Sequence, residues 1–235
     1  MLAACSTPPD GVAPGGVHDP YEAQNRKMHA FNREVDRTVL RPIAGSGGAA
    51  PEIRQSIGNF GANLNEPRHA VNRLLQGDLV GVGRSTLRFV YNSTLGFGGL
   101  FDVAADFGLP ADETDFGETL HVWGVPEGAY QELPILGPST ERRTAGQVVD
   151  LFLNPLDHVI PKPERYYGTA ARIVGSVGER GRFGGSVDSV LYDSADSYAQ
   201  TRLIYLQNRR FDLQDEEGGI AESDFTDPYE DIHAE

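Results

Sequence analysis

The 235-residue chain holds a single cysteine, Cys5. One thiol excludes an internal disulfide and any cysteine-based zinc cluster. Long hydrophobic runs are missing as well. None approaches the roughly 18 apolar residues of a spanning helix, and VVDLFL (148–153) is among the longest. Such a chain does not cross a bilayer on a plain hydrophobic helix, although it can lie in one. Basic residues are scarce, 20 Lys and Arg against 34 Asp and Glu, for a net charge of −14. That balance leaves no cationic footprint for nucleic acid and disfavours simple attraction to anionic lipid.

Catalytic patterns are equally sparse. His18, His29, His69, His121, His158 and His233 are scattered, with no H-x-x-x-H pair or carboxylate at metal spacing. Asp106-Phe107-Gly108 and Asp115-Phe116-Gly117 mimic a kinase motif without its glycine loop, lysine or catalytic loop. Gly81-Val82-Gly83 lacks the lysine of a phosphate-binding loop, and Ser139 lacks the context of a nucleophile elbow. The expectation is a protein without enzymatic chemistry, metal or cofactor.

What is present is distributed unevenly. From Asp212 to Glu235 there are ten acidic and no basic residues, leaving −4 on everything before. An acidic, apolar-poor end of this kind, taken as 214–235, reads as a solvated tail. Residues 6–18 are rich in proline and glycine and read as a flexible tether. Before them, Leu2-Ala3-Ala4-Cys5-Ser6 looks like a bacterial lipobox, with small residues ahead of a cysteine that becomes acylated. The charged and apolar regions of a signal do not stand before it, so 1–5 reads as a signal remnant.

The folded part is expected over 19–213. Asp19-Pro20-Tyr21-Glu22 opens it with helix-start chemistry, Asp19 as N-cap and Pro20 in the first turn. Tyr21, Met28, Phe31, Val35 and Val39 form one apolar stripe. Ile53, Ile57, Phe60 and Leu64 form a second, and Ala70, Val71, Leu74 and Leu75 a third. Val82, Thr86, Phe89 and Val90 mark a fourth helix over about 79–91. Further helices are expected over 140–153, within 164–193 and over 196–211, and residues 129–136 are the strand candidate. The architecture is mainly α: short amphipathic helices with proline breaks and little β. Taken alone, each stripe suits an ordinary core-facing helix.

The stretch 87–138 organises the rest. Aromatic and aliphatic residues alternate there with glycines so densely that no single element fits throughout. Gly96, Gly98 and Gly99 suggest a tight, mobile turn, because glycine reaches positive φ and close approaches that other residues avoid.

Several blocks of this chain resemble one family. They are RFVYNSTLGFGGLFDVA (88–104), FGETLHVWGV (116–125) and Y-x-x-LP-x-LGPS (130–139). Asp19-Pro20-Tyr21-Glu22, Asn25-Arg26, Phe31-Asn32, Asp36 and Leu40-Arg41-Pro42-Ile43-Ala44 precede them, with NF-x-x-NL-x-EP (59–67) and VN-x-LLQGD (71–78) between. Y-x-x-x-R-x-x-YLQ-x-R (198–209) closes the series. In this order they resemble the VacJ/MlaA family of outer-membrane lipoproteins, with Asp19, Pro20, Asn25, Arg26, Asn32, Asn92, Trp123 and Gly124 as motif residues. Gln24 and Ser197 depart from the pattern; Ser197 stands where a proline is expected.

The resemblance implies a ring of amphipathic helices lying in one leaflet of the outer membrane, anchored through acylated Cys5 and facing the periplasm. It implies removal of mislocalised phospholipid from the outer leaflet through an amphipathic passage, and delivery to a soluble periplasmic carrier. A trimeric outer-membrane porin would be a further partner. Gly96, Phe97, Gly98 and Gly99 are the candidate gate, with Phe97 as an apolar plug. The alternative is a structural, scaffolding envelope lipoprotein whose stripes close an ordinary core.

Overall fold

The computed structural model describes residues 16–45, 50–161 and 165–217. Cys5, most of the expected tether and most of the acidic tail lie outside the described residues. The chain runs α1 (Glu22–Val35), a π-helical turn (Asp36–Leu40), α2 (Arg41–Gly45), α3 (Pro51–Asn63), α4 (Glu66–Gln76) and α5 (Leu79–Thr94). Then come α6 (Val103–Asp106), α7 (Phe116–Val122), the antiparallel hairpin β1 (Tyr130–Leu133) and β2 (Gly137–Thr140), and α8 (Glu141–Leu153). Finally α9 (Leu156–Val159), α10 (Arg165–Arg182), α11 (Gly184–Asp188), a second π-helical turn (Ser189–Asp193) and α12 (Ser197–Glu217) complete the order.

Local chemistry explains many boundaries. Asp78, Asp115 and Thr140 cap α5, α7 and α8 by accepting from the backbone N–H three residues on, at 2.8, 2.9 and 3.3 Å. Gly77, at φ +82°, ends α4 in the left-handed conformation. Three expectations are corrected. Asp19 does not cap α1, which starts later; its carboxylate accepts instead from Asn25, Tyr198 and Arg202. The tether stops short of His18: the Gly16 and His18 carbonyls accept from Arg210 and from the Tyr130 N–H. The last helix continues to Glu217, beyond the expected start of the tail at 214, because buried Leu213 holds its final turns.

The main correction concerns the stripes. On α4 the buried residues are Glu66, His69, Asn72 and Arg73, while Leu74 and Leu75 are exposed. On α5 Gly81, Ser85, Arg88 and Asn92 are buried, while Leu79 and Val80 are more than 70% exposed. On α1 Asn25 and His29 are buried and Tyr21 and Phe31 exposed; on α8 Arg142 and Asp150 are buried and Val148, Leu151 and Phe152 exposed. Among the described residues eight apolar residues are buried against twenty-one polar or charged ones. The amphipathic helices are real, but many turn their polar faces inward.

Neighbours close into a circuit. α10 packs on α3, α3 on α5, α5 on α4, α4 on α7 and α8, α8 on β2, β1 on α1, and α1 leads through its π turn and α2 back to α10. Two crossings are made by paired glycines. A Cβ on Gly175 would stand 2.9 Å from the Gly58 Cα, and one on Gly146 would stand 2.2 Å from the Gly117 nitrogen. Backbones that approach this closely pack through dispersion and need little apolar side chain between them.

The two π turns are pinned together. Buried Asp36 accepts from Arg180 at 2.7 and 2.8 Å and from the Tyr192 hydroxyl at 2.8 Å. Asp188 accepts from Arg180 at 2.6 Å and from Arg41 at 2.8 Å. Burial pushes the Asp36 carboxyl up, but hydrogen bonds from Arg180 and Tyr192 outweigh it and hold Asp36 below the ordinary 3.8. Burial and the bond to Asp36 push the Tyr192 phenol up to about 12. Folding therefore gains from ionised Asp36 above pH 3.8, a gain lost as pH falls through the lower folded value. It gains from neutral Tyr192 below pH 10, a gain lost as pH rises through about 12. We expect Asp36→Asn to make the acid limb of the thermal-stability profile shallower and to move one phenolate transition down from about 12, read by absorbance near 295 nm.

Candidate functional site

A cleft of about 810 Å³ opens among α2, α3, α5 and α10. Its wall is mixed: polar side chains, Arg54, Gln55, Asn59, Asn63, Asn65, Arg88, Asn92, Asp102, Glu113, Glu179 and Arg182, line it together with apolar surface from small residues such as Gly58, Ala62 and Gly175. Cationic and anionic side chains are both present on it. The glycine crossing of α3 and α10 forms part of this wall, which leaves space where side chains would otherwise fill it.

Arg88 fixes one side. It donates to Glu66 at 2.6 Å, to the Leu109 carbonyl at 2.5 Å and to Asp102 at 3.1 Å. Glu66 is the first residue of α4, at the α3–α4 break, so one guanidinium joins α4, α5 and the segments around α6. Asn92, one helical turn later, donates to Asp102 at 2.9 Å and accepts from the Ala104 N–H at 2.9 Å. That clamp closes the base of the glycine turn. Buried Asn63 of α3 donates to Ser93 at 2.9 Å and to the Gly98 carbonyl at 3.4 Å.

The turn itself is unusual backbone. Phe97, Gly98 and Gly99 all have positive φ, at 52°, 76° and 99°. Gly96 is fixed by space: a Cβ there would lie 2.3 Å from the Phe101 carbonyl oxygen. Gly99 presses on Asn63, whereas Gly98 faces open space. Phe97 is 77% exposed, edge-on to Phe101, and does not line the cleft. The expected plug is therefore corrected: a left-handed backbone at Phe97 turns its ring outward, and the turn meets the cleft through Asn63 and Asn92 instead.

Other motif residues hold the frame. Asn25 donates to the Tyr130 carbonyl at 3.1 Å and accepts from the Glu132 N–H at 3.0 Å; Asn32 donates to the Leu133 carbonyl at 2.8 Å and accepts from the Ile135 N–H at 2.7 Å. Spaced seven apart on α1, these two amides mimic peptide groups of a third strand beside β1. Arg26 pairs with both oxygens of Asp196, at 3.0 and 2.8 Å, and with Glu22. This bidentate contact is the main cause that lowers the Asp196 carboxyl to about 2. Trp123 donates to the Leu75 carbonyl at the end of α4, and Gly124, at φ +80°, ends α7. Pro20 lies just ahead of α1.

A family model described as MlaA lipoprotein matches residues 17–212. The chain belongs to the MlaA lipoprotein family. Among its relatives, the intermembrane phospholipid transport system lipoprotein MlaA of Escherichia coli (strain K12) is 32% identical over 223 residues, 90% of this chain and 84% of that protein. The protein of the same name from Haemophilus influenzae is 33% identical over 230 residues, covering 94% and 89%. An uncharacterised protein of Rickettsia bellii is 36% identical over 201 residues, covering 84% and 78%. A solved structure described as "Structural basis for maintenance of bacterial outer membrane lipid asymmetry" has a TM-score of 0.70 at 33% identity, over 83% of this chain and 98% of that one. Mainly helical architecture with one small hairpin is thus the MlaA fold.

Sequence reasoning passed over Arg88, Glu66 and Asn63. The available signal was polar residues at helical spacing (66, 69, 72, 73 and 81, 85, 88, 92) opposite each apolar stripe. Removing one partner of the buried pair tests how far this MlaA-family frame depends on it. Arg88→Met leaves Glu66 uncompensated and should lower stability by about 3–5 kcal/mol; adding Glu66→Gln should recover much of that, measured by chemical denaturation of both variants.

Proposed function

We propose that this chain is an outer-membrane lipoprotein that takes mislocalised phospholipid out of the outer leaflet and passes it to a soluble periplasmic carrier, so maintaining lipid asymmetry. Acyl chains on Cys5 anchor it in the inner leaflet facing the periplasm, and a trimeric porin is its partner there. The observation that carries this reading is the inverted burial: on α1, α4, α5 and α8 polar groups turn inward, two of them (Arg88 and Asn92) onto a large cleft of mixed lining that buried Asn63 of α3 also lines, while apolar stripes face outward. In water, many exposed Leu, Phe, Ile and Val side chains would be a liability; against acyl chains they cost nothing. No helix among the described residues is long and apolar enough to cross a membrane, which fits helices lying in an interface rather than spanning it.

The physics of such a passage is plain. Bare transfer of a charged headgroup through hydrocarbon costs, in idealised form, tens of kcal/mol. A wall of amides, guanidinium groups and carboxylates replaces the headgroup's water, and the tails follow along apolar surface. No covalent step is required. Anchoring is independent: each buried acyl CH₂ contributes about 0.8 kcal/mol, so several chains hold the protein firmly.

The decisive experiment expresses the chain behind a complete lipoprotein signal in cells lacking their own family member, and measures outer-leaflet phospholipid. Wild type should lower it; Cys5→Ala should not. Gln55→Leu with Asn59→Leu should fold normally yet transport less, because it makes one wall of the cleft apolar. Unchanged phospholipid with correctly localised protein and cognate partners would favour the scaffolding reading.

The glycine turn is the proposed gate. Gly98→Ala meets no neighbour but forces alanine into left-handed backbone, at a cost of about 1–2 kcal/mol. The fold should persist while flux changes at least twofold. Equal flux would remove the turn from the mechanism. Gly99→Ala is unsuitable because its methyl would meet Asn63 at 2.6 Å.

A further inference from the structure

A second cleft, of about 360 Å³, lies between α1 and the start of α12 and is lined by Arg26, His29, Arg33, Asp196 and Ser197 among others. His29 and Ser197, far apart in sequence, meet at it, with Glu132 against the far side of the His29 ring. His29 Nε2 is 3.1 Å from Ser197 Oγ, and His29 Nδ1 is 3.4 Å from Glu132 Oε1. All three are largely buried, at 9% exposed for Ser197, 5% for His29 and 7% for Glu132. They stand on three different elements, α12, α1 and β1. We propose that Ser197, His29 and Glu132 form an activated-serine site that cleaves small carboxylic esters in this cleft.

The surroundings fit that role. Among the described residues His29 Nδ1 makes no hydrogen bond, and the nearby Glu132 carboxylate is placed to orient the ring and to stabilise the positive charge that develops on it. Such contacts are often long before substrate binds. Glu132 is itself held: its Oε2 accepts from the Tyr130 hydroxyl at 2.5 Å and its Oε1 from Asn32 at 3.2 Å. The His29 ring stands edge-on to Tyr198, at 5.7 Å between centroids. Arg33 Nη1 lies 3.5 Å from Ser197 Oγ and brings a cation to the place where a carbonyl oxygen gains charge. Arg26 is already neutralised by Asp196 and Glu22.

Capping does not explain Ser197. Asp196 performs that task, accepting from the Ala199 N–H at 3.1 Å, while the Ser197 hydroxyl meets His29 and Arg33. The site is separate from the large cleft and does not rest on lipid transport.

With the His29 proton on Nδ1, Nε2 accepts from the Ser197 hydroxyl and takes its proton as Oγ bonds to the ester carbonyl carbon. The carbonyl electron pair moves onto oxygen beside Arg33. Collapse breaks the ester C–O bond, and His29 returns the proton to the departing alcohol. Water, activated in the same way, then releases the acid and restores serine. Ser197 and His29 are the catalytic residues; Glu132 positions the imidazole.

The purified full chain treated with a fluorophosphonate probe and mapped by peptide mass spectrometry tests this. We expect one adduct on Ser197, absent in Ser197→Ala and formed at least tenfold more slowly in folded His29→Gln and Glu132→Gln. Hydrolysis of p-nitrophenyl acetate should fall in the same order. No adduct on Ser197 in folded wild type, or an undiminished rate in folded Glu132→Gln, overturns the proposal. If His29→Gln fails to fold, Glu132→Gln decides alone.

Discussion

Buried charge has to be paired, and this structure depends on that constraint more than on an apolar core. Taking an ion out of water costs several kcal/mol even after relaxation, and the cost is offset only where partners are close and well aligned. The interior accordingly consists of matched sets: Arg88 with Glu66 and Asp102, Arg180 with Asp36 and Asp188, Arg202 with Asp19, and Arg209 with Asp115. Each set joins elements distant in sequence. The pairs therefore act as the registration marks that apolar packing supplies in an ordinary bundle. Their directionality is an advantage here, because lipid tails compete for apolar surface but not for a bidentate carboxylate.

The same constraint shapes the cleft. Helices whose inward faces are polar cannot collapse on one another without leaving groups unsatisfied. Among their close approaches are two glycine crossings, Gly58 with Gly175 and Gly117 with Gly146. Between the crossing of α3 and α10 and the Arg88 set on α5, space with a mixed lining remains. The cleft is thus a by-product of how the frame is held, and under the proposed function the groups that stabilise the frame would also solvate a passing headgroup. Asn92 shows both roles, clamping Asp102 and Ala104 while lining the wall.

Much of this was legible in the chain. Helix periods, the Thr140 start of α8 and the break at Asn65-Glu66-Pro67 all follow from local residue chemistry. Which face of each helix turns inward does not, because an amphipathic stripe is symmetrical between burial in a core and exposure to lipid; the solvent is missing from the sequence. Phe97 was misplaced for a different reason. Glycines at 96, 98 and 99 announce a turn, but the direction of the ring between them follows from backbone angles that three permissive residues leave open. Long-range sets escaped altogether: nothing local links His29, Glu132 and Ser197, separated pairwise by 65 to 168 residues, with His29 brought to Glu132 by Asn25 and Asn32 docking on β1.

Element length carries the last step. α3 has 13 residues, α4 11 and α5 16, or about 16–24 Å at 1.5 Å per residue. A hydrocarbon core is about 30 Å thick, so these helices, if upright, would span about half to four-fifths of it. Proline sits at the starts of α3 and α4, and glycine ends α4, so the lengths are set by local chemistry and cannot grow under a lipid's influence. A ring of such helices with apolar stripes outward would leave unmatched apolar surface in water and unmatched ends in a full bilayer. One leaflet satisfies both the stripe and the length, and the polar interior then gives a headgroup a route through the protein rather than through the tails. This supports the placement proposed for the chain.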